Sequence, residues 1–276
     1  MSRAGPQNHR LDHFVRPAGR IVLLLVALLS SACATAALMP SGEWIDLSWE
    51  YSAETVYWPT SGAFEYESLS SGMTSNGFWY EADRFSTAAH GGTHIDAPAH
   101  FGQGRRSVDQ VPLDQLIGPA VVVDVSSRAL ADRDYQVTVQ DLATWEVVFG
   151  RIPRDAIVLL RTGFGQFWPD PVKYLGTARK GAEGVAELHF PGLHPTAAQW
   201  LVNRGVGAVG IDTASIDYGQ SRFFDSHRVL AEHQIPVLEN VARLERLPQS
   251  GAWIVALPMK IKGGSGGPVR IAALVR

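Results

Sequence analysis

The sequence predicts a domain of the mixed α/β (α+β) class, with strands and helices intermixed and with strand-rich ends. Two observations lead to this class. Short runs of β-branched and aliphatic residues have the length of buried strands, and segments with helical signals lie between them. The length of 276 residues and the hydrophobic fraction of 46% suit one sizeable globular domain with its own core.

The predicted strands are short and mostly apolar, as expected for strands that are covered on both faces. They cover residues 43–52, 119–127, 155–165, 206–215 and 235–241, and the C-terminal runs "WIVALPMKI" (253–261) and "PVRIAALV" (268–275). The stretch 55–70 is also rich in aromatic, β-prone residues, but Pro59 and Gly62 interrupt it.

Helices are predicted where the sequence supplies residues that begin or end them. The candidates cover residues 111–118, 137–150, 194–205 and 225–234. Thr138 is a candidate N-cap for the second of these. Pro195 opens the third helix and Gly205 closes it, which follows the preference for proline at the start and glycine after the end.

Residues 1–36 are predicted to form a secretory signal peptide. Four arginines precede the nine-residue apolar run "IVLLLVALL" (21–29), and small residues follow it. The run is too short to cross a bilayer as a helix, which needs about 20 residues. Two cleavage sites compete: a small-x-small site that ends at Ala36, and a lipoprotein-like box that ends before Cys33. An uncleaved anchor is the alternative interpretation.

Residues 40–276 are then the predicted functional domain, located in the periplasm or secreted. Contact with a membrane is expected only through a lipid on Cys33. Cys33 is the only cysteine, so no intramolecular disulfide can form and stability must come from the core. The net charge of −3 and the lack of a basic tract of five or more residues argue against nucleic acid as a partner.

The stretch "HGGTHIDAPAHF" (90–101) places three of the nine histidines and a carboxylate within eleven positions. A helix is disfavoured here because two glycines and a proline interrupt it. In a strand, the even-numbered polar residues would share one face and the odd-numbered residues would pack on the other. These polar residues are His90, His94, Asp96 and His100.

A straight strand would separate His90 from His94 by about 13 Å, too far for two ligands of one ion. Gly91 and Gly92 can turn the chain, because glycine accepts a positive φ without steric cost. The pattern therefore predicts a turn that brings the first histidine towards the second and the aspartate, with Pro98 ending the strand pairing. Imidazole and carboxylate groups suit zinc, manganese or iron. A metal-free hydrogen-bonded network at a bend is the alternative interpretation.

The same stretch resembles the H-x-G-T-H-x-D-x-P-x-H-F signature of the metal-dependent cyclase family, which includes bacterial kynurenine formamidase. This motif is long and far more specific than a lone H-x-x-x-H. The resemblance runs from "IDLS" (45–48) to "GGPVRIAAL" (266–274), most of the chain after the signal. It implies a swivelling β/β/α single domain, with a strand-rich core and flanking helices.

The resemblance also implies a role for each polar residue of the motif. His90, His94 and Asp96 are implied to bind metal, and in members with two zinc ions the aspartate bridges to the second ion. His100 is implied to donate and accept protons as a general acid and base. It is not itself an implied ligand.

A downstream pair twelve residues apart matches the family's "D-x-H…LE" pattern. In "FDSHRVLAEHQIPVLENV" this pair is His227 and Glu239, which are implied to be further metal ligands. Glu239 lies in an apolar strand, where a carboxylate is costly to bury unless it is paired or ligated. Trp58 of "VYWPT" matches a tryptophan that packs against substrate in the formamidases, and simple core packing is its alternative role.

The implied function is metal-dependent hydrolysis of a carbon–nitrogen bond in an amide, formamide or cyclic amide. The expected substrate is a small aromatic or cyclic molecule. A metal ion lowers the pKa of water from 15.7 to about 7, and His100 would carry a proton to the leaving nitrogen. Zinc is the expected cofactor, as one or two ions, with manganese as the alternative. Hydrolysis of a lactone or ester and isatin-type ring opening are alternatives at the same site, and a homodimer is expected because the formamidases are dimers.

The chain departs from the formamidases by its predicted export and by residues 166–193. That segment shows no periodicity and is predicted to be a long loop or insertion, in or near which His189 and His194 are candidate substrate contacts. Asp212 and Asp217 lie at the end of a predicted strand. They either orient metal ligands or act as caps and turn formers.

Two other classes of protein are alternatives to a metal-dependent hydrolase. "GGSGG" (263–267) matches G-x-S-x-G, but no Asp, Glu or His follows Ser265 and a strand is predicted after it. A flexible turn is therefore a better interpretation than a serine nucleophile. An exported metal-binding protein without turnover also fits the histidines, but it would not need His100 as a spare acid–base group.

Overall fold

The computed structural model describes Met1, Ser2, Gly5 and residues 41–276. The predicted signal peptide, with both candidate cleavage sites, lies outside the described residues apart from those three positions. Residues Gly42–Arg276 form one compact unit. Among the described residues, no helix has the length and apolar character needed to span a membrane.

Twelve strands occur in the described part of the chain. They are β1 Glu43–Asp46, β2 Glu65–Met73, β3 Trp79–Ser86, β4 His94–Asp96, β5 Ile117–Asp124, β6 Gln136–Val137, β7 Ile157–Arg161, β8 Gly192–Leu193, β9 Ala208–Ile211, β10 Val237–Glu239, β11 Ser250–Pro258 and β12 Gly266–Val275. Eight of them form one sheet in the order β1-β12-β11-β5-β7-β9-β10-β4.

Seven of these strands close into a barrel, because β4 pairs with β12 as well as with β10. β12 has ten residues, and two different strands pair with one of its edges. β4 occupies its first part at Gly266–Pro268, and β1 occupies its last part at Ala272–Val275. β5, β7, β9 and β10 run parallel to one another, and the other pairings of this eight-stranded sheet are antiparallel.

Side chains of β5, β7, β9 and β10 alternate between two apolar environments, as the period of two in a strand requires. Val122 of β5 belongs to a buried cluster that collects residues from all seven barrel strands and therefore fills the interior. Its neighbours Val121 and Val123 belong to a second cluster together with helical residues. Strands buried on both faces explain why the predicted strands are almost continuously apolar.

Six α-helices occur in the described residues: α1 Ser126–Ala129, α2 Val139–Phe149, α3 Pro171–Leu175, α4 Gly181–Ala186, α5 Pro195–Arg204 and α6 Asp225–Glu232. Leu142 of α2, Leu201 of α5 and Leu230 of α6 pack in the second cluster, against the outer faces of the strands. The architecture confirms the predicted mixed α/β class with helices that flank a strand-rich core. The closure of the strands into a barrel was not predicted.

The capping signals of two helices are confirmed. The Thr138 side chain accepts a hydrogen bond from the Asp141 amide, and the Asp141 carboxylate accepts one from the Thr138 amide. α5 begins at Pro195 and ends before Gly205, which adopts a left-handed φ of 72°. Such capping signals act within one helical turn, so the ends of these helices can be predicted without knowledge of the tertiary fold.

The helix predicted over 111–118 is wrong for most of its length. Only Leu113–Gln115 forms a single 3₁₀ turn, and Ile117 and Gly118 belong to β5. The physical reason is pairing with β11, where Val255 and Ile254 lie opposite these two residues. A ladder with a distant strand overrides the local helical preference.

The long loop predicted over 166–193 is also wrong, because α3, α4 and β8 lie within it. The Asp170 side chain caps α3 by accepting from two backbone amides, and Gly176 ends that helix with a φ of 96°. Tyr174 and Leu188 are fully buried in a third apolar cluster. The helices are too short to show a hydrophobic period, so they could not be identified from periodicity.

β2 and β3 form a separate two-stranded hairpin that is almost entirely exposed. The β-prone stretch 55–70 contains only the first part of it, and the hairpin was not predicted. It carries large apolar side chains in solvent, among them Tyr66, Leu69, Trp79 and Phe85. Isolated hairpins are only marginally stable in water, and exposed apolar patches of this kind commonly mark interaction surfaces.

Candidate metal centre

The backbone of "HGGTHIDAPAHF" is a turn, a very short strand and a 3₁₀ turn. Gly92 has a φ of 59°, which confirms the predicted glycine turn. A side chain on Gly91 would lie 2.1 Å from the ring of Tyr57, so only glycine fits there. Strand pairing is limited to β4, and Pro98–His100 forms a 3₁₀ helix, which confirms the prediction that Pro98 ends the pairing before His100.

Two strands of the barrel and one helix bring most of the predicted ligands together. β4 supplies His94 and Asp96, and β10 pairs with it so that Glu239 lies directly opposite His94. α6 supplies His227 from outside the barrel. His90 precedes the glycine turn, and this turn brings its ring into contact with Asp96. All five side chains predicted as ligands therefore meet at one site.

Asp96 lies at the centre of this group. Its Oδ1 atom is 2.6 Å from Nδ1 of His90 and 3.2 Å from Nε2 of His94. Its Oδ2 atom is 3.0 Å from Nε2 of His227. Glu239 closes the group, since its two oxygens lie 3.4 Å from Nε2 of His94 and 3.1 Å from Nε2 of His227.

The nitrogen atoms of His94 are arranged as a metal ligand requires. Nδ1 lies 3.0 Å from the carbonyl oxygen of Gly92, to which it can donate. Nε2 is then the unprotonated nitrogen. It is buried without a hydrogen-bond partner and faces the carboxylates of Asp96 and Glu239. A lone pair aimed between two carboxylates fits a divalent cation, and the three ligand atoms lie within 4.8 Å of one another.

The charges at this site also fit a cation. Burial raises the pKa of Glu239, and the nearby charge of Asp96 raises it further. Burial alone would raise the pKa of Asp96 as well, but its close contacts with the imidazoles of His227, His90 and His94 hold this pKa well below its ordinary value. Two acidic groups that repel each other in a buried site are stabilised by a divalent ion between them.

His100 lies beside the ligand group with its ring stacked on that of His90, at a centroid distance of 3.7 Å and an interplanar angle of 14°. Its ligand atom lies within 4.8 Å of those of His90 and Asp96. A metal ion binds in the plane of an imidazole ring, so one ion cannot lie in the planes of two stacked rings. Burial lowers the pKa of His100 to about 4. The ring is therefore neutral at pH 7, and the same burial makes its protonated form costly.

The ligand group opens into a cavity of about 270 Å³. Trp58, Phe101 and Phe224 provide aromatic walls, and His100 faces the same space. The ring centroids of Phe101 and Phe224 are 5.2 Å apart, and those of Trp58 and Phe224 are 6.2 Å apart. Phe224 was not predicted; it has a left-handed φ of 50° at the start of α6, an uncommon conformation for a bulky residue.

The other histidines considered as substrate contacts lie elsewhere. The His189 ring pairs with Asp134 at 2.8 Å on the surface. The His194 ring accepts a hydrogen bond from the Thr196 amide and so caps α5. Neither residue lines the cavity. Asp212 acts as a turn former, since its carboxylate accepts from two amides and a hydroxyl at the end of β7.

Asp217 has both of the roles predicted as alternatives from the sequence: it orients a predicted metal ligand and it caps a helix. Its Oδ2 atom is 2.7 Å from Nδ1 of His227, so this ring donates to Asp217 and directs Nε2 to the ligand group. The same carboxylate accepts from the backbone amides of Ser226 and His227, at the first turn of α6. A carboxylate behind a metal-binding histidine fixes the ring orientation and increases its basicity.

Asp217→Asn is expected to lower the affinity for Zn²⁺ by about 10–100-fold, the range typical for partners of metal ligands. The loss of a charged hydrogen bond to His227 should also lower the free energy of unfolding by about 1–3 kcal/mol. Competition with a chelator and thermal melting measure the two effects. Asp225→Asn is the matched control, because Asp225 lies in the first turn of α6 but is exposed and pairs with Arg228. Equal affinities of the two variants would contradict the role of Asp217.

Comparison with known proteins extends these observations. The family model described as "Putative cyclase" matches residues 45–218. The isatin hydrolase of Roseibium aggregatum is 31% identical over 194 residues, which cover 67% of this chain and 72% of the relative. The kynurenine formamidase of Bacillus cytotoxicus is 30% identical over 241 residues, 86% of this chain and 99% of the relative. The structure of isatin hydrolase A from Labrenzia aggregata bound to benzyl benzoate aligns with a TM-score of 0.76 and 30% identity, over 92% of this chain and 98% of that one.

Proposed function

This chain belongs to the cyclase family, and on that premise we propose that it is a metal-dependent hydrolase of a carbon–nitrogen bond in an amide, formamide or cyclic amide. The observation that carries the proposal is the Nε2 atom of His94, buried without a hydrogen-bond partner and aimed between Asp96 and Glu239. This arrangement lies at the base of a cavity with aromatic walls.

The residues that would hold the metal are His90, His94, Asp96, His227 and Glu239. Nitrogen and carboxylate donors suit zinc best, with manganese as the alternative. Asp96 shares one set of possible ligand atoms with His94 and Glu239, and its two oxygens also contact His90 and His227. This sharing supports one or two ions. A divalent ion in such a site supplies Lewis acidity and lowers the pKa of water from 15.7 to about 7.

His100 is proposed as the general acid and base. It lines the cavity, its ring is neutral at pH 7, and its stacking on His90 disfavours binding to the same ion. A neutral imidazole can take a proton from the attacking water and then deliver it to the leaving nitrogen. Such proton transfer typically contributes 10²–10⁴-fold to the rate.

The substrate is proposed to be a small aromatic or cyclic amide. A volume of about 270 Å³ lies at the lower end of ligand sites and admits a compact molecule. Trp58 is proposed to stack on its ring, with Phe101 and Phe224 on the other sides. The names of the two relatives, isatin hydrolase and kynurenine formamidase, support this class.

Ester or lactone hydrolysis at the same site is the second candidate function. It is supported by the structure of isatin hydrolase A bound to benzyl benzoate, because that structure shows a relative binding an aromatic ester. Attack on an ester needs the same ion and the same base, but the proton goes to a leaving oxygen. A substrate series that keeps the ring and exchanges the amide for an ester distinguishes the two.

Removal of the metal is expected to abolish hydrolysis. Elemental analysis of the purified protein should find zinc or manganese, and a screen of N-formyl aromatics, cyclic amides and lactones should show turnover that stops with a chelator. Addition of Zn²⁺ or Mn²⁺ should restore it. Protein that contains no metal, or turnover that survives complete chelation, would contradict the proposed function.

Two further proposals concern the assembly and location of the protein. We propose a homodimer, and the exposed aromatic hairpin of β2 and β3 supports a contact with a second copy. Light scattering in solution tests this, and a monomer mass would contradict it.

We also propose export by the signal at residues 1–36, with a lipid on Cys33 as the alternative. The N-terminal sequence and mass of the mature protein decide between cleavage after Ala36, lipidation and retention.

A further inference from the structure

The glycine-rich segment "GGSGG" (263–267) lies against the metal-binding motif. β12 begins at Gly266, which pairs with Asp96, and Gly267 pairs with Ile95. The carbonyl oxygen of Ser265 accepts a hydrogen bond of 2.8 Å from the amide of Ala97. The backbone of Ser265 is therefore held in place independently of its side chain.

The Ser265 side chain contacts one of the predicted ligands. Its Oγ atom lies 2.8 Å from Nε2 of His90, whose other nitrogen is 2.6 Å from Asp96. Gly266 makes room for this ring, because a Cβ atom there would lie 2.6 Å from Cε1 of His90 and 2.3 Å from a backbone oxygen of β4. The segment is thus shaped to receive the imidazole of His90.

The three histidines that face Asp96 follow one pattern. Each directs one nitrogen to the carboxylates and gives the other nitrogen to a polar partner. For His94 the partner is the carbonyl of Gly92, and for His227 it is the carboxylate of Asp217. For His90 the partner is the hydroxyl of Ser265. Partners of this kind fix the tautomer and the ring orientation of metal ligands.

We propose that Ser265 is a positioning residue for the metal centre. Its hydroxyl oxygen accepts a hydrogen bond from Nε2–H of His90, which leaves Nδ1 unprotonated and directed to Asp96. The proposal rests on the proposed metal-dependent function, since it assigns Ser265 a role in the affinity of that site for a divalent ion. The segment "GGSGG", predicted to be a flexible turn, would then orient the ring of His90 through the hydroxyl of Ser265.

A different use of the same contacts is a serine nucleophile. Asp96, His90 and Ser265 form a chain of hydrogen bonds like that of an acid–base–nucleophile triad. Two observations oppose this use. Ser265 is not among the residues that line the cavity. A strand follows Ser265, whereas a nucleophile elbow is followed by a helix.

The affinity for Zn²⁺ tests the proposal directly. Ser265→Ala is expected to bind Zn²⁺ about 10–100-fold more weakly than wild type in competition with a chelator. Ser265→Thr keeps the hydroxyl and should restore most of the affinity. Ser250→Ala, an exposed serine at the start of β11, is the control and should match wild type. Melting of the metal-free variants should show unchanged folding, because the backbone contacts of Ser265 remain.

The results of these experiments distinguish a failure of the role of Ser265 from a failure of the proposed function. Unchanged Zn²⁺ affinity in Ser265→Ala, with tight binding by wild type, would overturn the role of Ser265 alone. Loss of hydrolysis in Ser265→Ala at saturating Zn²⁺, with unchanged affinity, would overturn it in favour of a nucleophile. A wild-type protein that binds no Zn²⁺ or Mn²⁺ would refute the proposed function itself.

Discussion

Asp96→Asn is expected to abolish both metal binding and hydrolysis. Among the described residues, Asp96 is the one carboxylate in contact with all three imidazoles that form the ligand group, and it shares a set of possible ligand atoms with His94 and Glu239. Asparagine has nearly the same shape, but it lacks the negative charge and one acceptor oxygen. Loss of a partner behind a ligand already costs 10–100-fold in metal affinity, so loss of the shared ligand itself should cost more.

The measurement is the metal content after gel filtration, together with turnover of the best substrate from the screen. Far-UV circular dichroism shows whether the variant is folded. Asp114→Asn is the matched control, because Asp114 is an exposed carboxylate in the 3₁₀ turn before β5. A folded Asp96→Asn protein that retains its metal and its activity would refute a metal centre built around Asp96.

His100→Ala is expected to keep the metal and lose about 10²–10⁴-fold in kcat, the usual contribution of general acid–base catalysis. The expectation follows from the stacking on His90, which disfavours a ligand role, and from the neutral state of the buried ring. Metal content should therefore equal that of wild type, while turnover at saturating substrate falls. His233→Ala is the control, because His233 is exposed and Nδ1 of its ring lies 2.8 Å from the carbonyl oxygen of Val229 in α6.

The two variants together distinguish an enzyme from a binding protein. A binding protein would be unaffected by His100→Ala, whereas an enzyme with this mechanism would lose turnover without losing metal. Unchanged turnover in His100→Ala would remove the proposed acid–base role. Loss of metal from the same variant would make His100 a ligand instead.

The parts of the fold that the sequence predicted are those that depend on near neighbours. The Thr138 cap, the Pro195 and Gly205 boundaries and the glycine turn at Gly92 each follow from preferences that act over a few residues. The strands β5, β7, β9 and β10 were predicted because strands buried on both faces need continuous apolar runs. By contrast, the helix over 111–118 was wrong because pairing with β11 decides that segment.

The candidate site was also predicted only in part. Residue types and spacing in "HGGTHIDAPAHF", together with the family resemblance, sufficed to nominate the ligands and His100. They did not indicate that the ring of His100 stacks on that of His90, that Asp217 rather than Asp212 supports His227, or that Phe224 borders the cavity. Each of these depends on the packing of α6 and the barrel wall.

The sequence by itself determined the chemistry available to this protein: which side chains can hold a cation, where the chain turns, and which segments need burial. Only the tertiary structure decided which distant groups complete the site. Ser265 lies 175 positions after His90 and reaches it because β12 closes the barrel against β4. Closure of that kind depends on the burial of many side chains at once, and no short stretch of residues encodes it.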